Sequence, residues 1–144
     1  MKRVLSLAGM FTLALAASVA AQAPAAPAKI ASEADYMAHM KEVGQLNGVM
    51  GKGIKGGMAE EASRAAMRLE VLFKNVHAYW NDKKVADATT AAQTAVTGLQ
   101  AVQKALAAND MAAAETARAS VASTCMACHT AHREKTPEGG WRMK

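Results

Sequence analysis

Cysteine and proline are scarce in this chain, and each scarcity narrows what it can be. There are 2 cysteines, 3 prolines and two each of Trp, Tyr and Phe. With Cys125 and Cys128 as the only thiols, a zinc site would have to borrow His129, His132 or distant residues, and four ligands within eight residues of one helix cannot easily surround a tetrahedral ion. A disulfide between the two would close a very short loop and strain a helix. No proline stands between Pro27 and Pro137, and no segment alternates apolar and polar residues as a half-buried strand does. Excess charge is modest. Lys+Arg number 17 against 12 Asp+Glu, a formal +5, and loss of Lys2 and Arg3 with a leader would reduce that by two, to +3. Such a balance argues against nucleic acid or an anionic membrane as the main partner.

The one long apolar run lies at the start. Lys2 and Arg3 precede Val4 to Ala17, and the small residues Val19-Ala20-Ala21 follow. This is the pattern of a signal peptide over residues 1–21, cut before Gln22; the competing expectation is an uncleaved anchor, for which the run is barely long enough. The Pro- and Ala-rich residues that follow predict a flexible leader over 22–31.

What is abundant is alanine, in helical rhythm. Ser32 with Asp35 forms a capping-box pattern that starts a first helix at Glu33, and Tyr36, Met40, Val43, Met50 and Ile54 supply its apolar stripe. Glycines from Gly48 to Gly57 end it in a turn; that turn lacks the strand–helix context of a phosphate loop. A second helix is predicted from Met58 to Trp80, with Ala62, Leu69, Leu72, Phe73 and Val76 on its inner face. A third, from Asp87 to Ala108, carries Ala88, Ala92, Ala95, Leu99, Val102 and Leu106 at alternating four- and three-residue steps, the seam of a bundle. Asn109-Asp110 breaks the chain and caps a fourth helix from Met111 to about Glu134, and a polar tail follows over 136–144. Four helices with short connections predict an all-α, antiparallel four-helix bundle over 32–135. Its core is thin, and the Ala-lined helices either approach closely or leave room for a large apolar body. Trp80 is expected to cap that core.

Near the end stands Cys125-Met126-Ala127-Cys128-His129. C-x-x-C-H is the attachment pattern of c-type haem. Two thiols three residues apart share a helix face and can each form a thioether with a haem vinyl group, while His129 is placed to reach the iron. A thioredoxin-like dithiol would need a strand–helix context that is absent. The export signal agrees with this motif, because such haem is attached outside the cytoplasm in bacteria; the expected location is the periplasm.

With this motif on the last helix, and with Thr130-Ala131-His132-Arg133 following, the chain resembles the cytochrome c′ family, exported haem proteins built as four-helix bundles. His132 stands where that family usually has an aromatic, the connection after Trp80 is shorter, and the tail from Thr136 to Lys144 extends past the usual end. The resemblance implies one covalently attached haem c, held by thioethers at Cys125 and Cys128 and an axial bond from His129, with Arg133 beside the haem edge or a propionate. Met40-Lys41-Glu42-Val43-Gly44 looks like the family's methionine-ligated version, with Met40 as the sixth iron ligand. Met37 lies close to the same helix face and is the next candidate; His39 points about a hundred degrees away. Tyr36 occupies the place of an arginine common in high-spin members. His132 is expected at the surface. The function implied is transfer of single electrons between redox partner proteins, without enzymatic turnover. The competing function is an open iron position that captures nitric oxide or carbon monoxide. The family's dimers imply a homodimer through the first two helices, which the late glycines of the first would disturb.

Overall fold

Two of the four helices begin at a side-chain cap. In a computed structural model that describes residues 29–144, Ser32 caps α1 (Glu33–Lys55). Its Oγ accepts from the Asp35 backbone N at 3.1 Å, while the Ser32 backbone N donates to Asp35 Oδ2 at 3.0 Å, so two otherwise orphaned donors are satisfied reciprocally. α2 spans Ala59–Asp82 and α3 spans Ala86–Ala107. Asn109 then adopts a left-handed φ of 55°, a conformation Asn tolerates at a helix end, and the Asp110 side chain accepts from Ala113 N to cap α4 (Met111–His132). The expected starts, and the expected ends of α2, α3 and α4, hold to within two residues; α1 instead stays helical through Gly48, Gly51 and Gly53 and turns only after Lys55. The signal segment and residues 22–28 of the leader lie outside the described residues.

The helices form an all-α four-helix bundle in which sequential pairs pack closely. Met50, Leu69, Leu72, Leu99 and Val102 are fully buried, each Leu contributing roughly 1.5–3 kcal/mol by leaving water. Every apolar position expected on α2 and α3 is buried. The end of the leader also joins the core: Ile30 is 4% exposed, and Ala31 N donates to Asp35 Oδ2. The flexible leader expected over 22–31 therefore does not include Ile30 and Ala31, which are held against the bundle. Among the described residues no helix is long and apolar enough to cross a membrane.

Two departures matter for the site. α1 and α4 touch far less than the three sequential helix pairs do, and α4 buries only Ala114 and Val121. The polar tail, moreover, is structured. α4 ends at His132, and Arg133–Lys135 (β1) pairs antiparallel with Trp141–Met143 (β2), turning through Gly139 at φ 82°. The hairpin is pinned back onto the bundle. Met143 N donates to Glu33 Oε1 at 3.1 Å, Lys144 N donates to the His132 carbonyl, and the Tyr79 hydroxyl meets Met143 Sδ at 3.9 Å.

Candidate functional site

Small side chains create the site. On α3, Ala88, Ala91, Ala92 and Ala95 face the open seam between α1 and α4, and none of them is long enough to fill it. A cavity of about 240 Å³ results. α2 closes its floor with Leu69, Phe73 and Val76. α1 contributes Tyr36, Met40, Val43, Gly44 and Asn47, and α4 contributes Val121, Thr124, Cys125, Cys128 and His129. The walls are thus mostly apolar, with the chemically distinctive groups on two opposing helices. A second cavity of about 200 Å³ adjoins it, sharing Tyr36, Met40, Cys128, His129 and Arg133. Trp141, Arg142 and Met143 of the hairpin line that second space.

All five residues singled out from the sequence therefore border one cavity: Cys125, Cys128, His129, Met40 and Arg133. Cys125 and Cys128 are free thiols, both half-buried, and their three-residue separation turns both inward. Burial pushes the Cys125 thiol up, with Cys128 adding to the effect; burial and then the Asp87 charge do the same to Cys128. Both are protonated at neutral pH. Burial, reinforced by the Arg133 charge, pulls His129 below the ordinary imidazole range. Its ring is neutral at pH 7 and keeps a lone pair for a metal.

Of the three neighbours considered on α1, Met40 borders both cavities and Met37 only the second. His39 is turned away, its Nε2 lying 3.4 Å from Asn75 Nδ2 of α2. Arg133 is not a solvated surface residue. Its guanidinium lies 3.9 Å from the Trp141 ring centre, and its Nε is buried with no hydrogen-bond partner among the described residues. An unsatisfied buried N–H costs about 1–3 kcal/mol, so an acceptor placed in the cavity would be favoured there.

His132 corrects an expectation. It is not a surface residue: its side chain is 19% exposed, and its Nε2 lies 2.8 Å from Asp87 Oδ2. Its ring packs against that of Trp80, tilted, with centres 5.2 Å apart. Trp80 is buried as expected and meets Tyr36 and Tyr79 edge-on. Asp87 and the hairpin residues were not anticipated. The hairpin had a readable signal, a Thr-Pro-Glu-Gly-Gly turn between two short segments; the Asp87 contact spans 45 residues and had none.

The available chemistry is specific. Two thiols can add to carbon–carbon double bonds, an imidazole and a thioether can approach a metal from different helices, and a guanidinium can receive a carboxylate. A compact ion such as zinc has less to hold it, since no group of three His, Cys, Asp or Glu side chains is arranged for a metal among the described residues. No family model, curated protein or solved structure matches this chain.

Proposed function

We propose that this protein is an exported, periplasmic monohaem c-type cytochrome that carries single electrons between redox partner proteins. The observation that supports it is the convergence of Cys125, Cys128, His129 and Met40 on one apolar-walled cavity between α1 and α4. In this reading Cys125 and Cys128 would hold haem c through thioethers, and His129 and Met40 would supply ligands to its iron. That group would supply reversible one-electron chemistry, with imidazole and thioether ligation favouring the ferrous state. Leu69, Phe73 and Val76 give that space an apolar floor. Arg133 presents its unpaired Nε to a propionate. The arrangement contains no assigned base or nucleophile, so the protein is read as a carrier rather than an enzyme.

A second reading, capture of nitric oxide or carbon monoxide, draws on the open space along α1, where a side chain added at Gly44 would meet nothing within 4 Å. Absorbance spectra of protein matured in an exporting host separate the two. Low-spin bands in wild type that ignore carbon monoxide, converted in Met40→Ala to a high-spin spectrum that shifts with the gas, support electron transfer and Met40 ligation. A wild type that is already high-spin and takes up the gas favours capture. Colourless protein rejects both.

A further inference from the structure

The second cavity has a one-sided charge. Its charged lining residues are all cations, Lys41 from α1 and Arg133 and Arg142 from the hairpin; His129 and His132 of α4 complete the wall, and no Asp or Glu lines it. Two acids outside the lining pair with residues in it, and a third is bound to the hairpin backbone. Asp87 lies against His132, Glu134 accepts from Arg142 Nε at 2.7 Å, and Glu33 accepts from Met143 N. Arg133 is held differently. Trp141 lies over its guanidinium at 3.9 Å, and Lys135 stands 5.6 Å from the same ring centre. Arg133 and Trp141 stand on the paired strands, two residues apart in register, since Arg133 faces Met143 and Lys135 faces Trp141. The hairpin thus fixes the one cation whose buried Nε has no acceptor among the described residues.

We infer that the C-terminal hairpin is the carboxylate-anchoring wall of the site, with Trp141 as a positioning residue that holds Arg133 towards a haem propionate. This rests on the haem reading above. Stacking on an aromatic face restrains the guanidinium without using its N–H groups, so Nε–H stays available for a charge-assisted hydrogen bond. Lys41 places further positive charge at the same rim, while Arg142 is paired with Glu134. A cation held there stabilises the less positive, reduced iron and raises the midpoint potential.

The test compares haem-loaded wild type, Trp141→Ala, Trp141→Phe and Arg133→Gln by midpoint potential and by the NMR resonance of Arg133 Nε–H. The potential is expected to fall in W141A and R133Q. In W141A the Arg133 resonance also loses its ring-current shift, and W141F, which keeps an aromatic face, restores both towards wild type. A loaded W141A with the wild-type potential overturns the anchor and leaves the haem reading standing. So does a potential that moves without the Arg133 resonance, or without recovery in W141F. A wild type that matures without haem overturns the haem reading and the propionate anchor with it.

Discussion

Tyr36 shows how one residue couples packing to ionisation. Its hydroxyl accepts a hydrogen bond from Trp80 Nε1 at 3.0 Å, and its ring lies 5.0 Å from that of Tyr79. Burial, only partly offset by the Trp80 bond, pushes its pKa from 10 up to about 12. The folded state therefore retains the phenolic proton more tightly than the unfolded chain. The resulting stability is fully present below pH 10 and is lost as pH rises from 10 towards 12, a contribution of about 1–3 kcal/mol. Denaturant melts of wild type and Tyr36→Phe across that range check this: the advantage of wild type over Y36F should shrink steadily as pH rises. A constant difference would mean that the hydroxyl is not held protonated.

Pairs of elements are governed by how closely their backbones can approach. At the α3–α4 crossing, a Cβ at Gly98 would lie 2.6 Å from Val121 Cγ2, and Val121 is β-branched, with little rotamer freedom to withdraw. Gly98→Ala is expected to destabilise the protein by about 1–2 kcal/mol, because overpacking outweighs the roughly 1 kcal/mol of helix propensity that Ala adds. Thermal melts of G98A, Val121→Ala and the double variant check the mechanism: the double variant should be more stable than the two single losses sum to. Val121 also borders the main cavity, so this contact sets the wall on which α4 carries its cysteines.

At the scale of the whole molecule, the bundle is closed by three sequential helix pairs and left open along the fourth seam, where α1 and α4 meet sparsely. On the haem reading, covalent attachment to α4 and ligation from α1 bridge that seam. The cofactor-free double variant Cys125→Ser/Cys128→Ser is then expected to show faster amide exchange in α1 and around residues 121–132, by at least about tenfold (~1.4 kcal/mol) relative to haem-loaded wild type. The centre of the α2–α3 pair, where Leu69, Leu72, Leu99 and Val102 are fully buried, should change least. Exchange that rises uniformly in all four helices would show that the seam is not the weak element.

Helix starts, helix faces and the bundle class were legible along the chain because they are local. A capping box at Ser32, a left-handed Asn109 before Asp110, and an apolar residue every three or four positions on α3 each involve neighbours within one or two turns. The cluster of Cys125, Cys128 and His129 on the cavity wall was legible for the same reason: the three sit within five residues. Contacts between distant segments left no such trace. That Met40 rather than His39 reaches the cavity depends on how α1 rotates against α2, where His39 meets Asn75. That His132 is half-buried depends on Asp87 and Trp80, and the place of Arg133 depends on a tail that folds back as a hairpin. A chain pattern specifies which face of a helix is apolar; only packing decides which neighbour that face meets and where space is left between them.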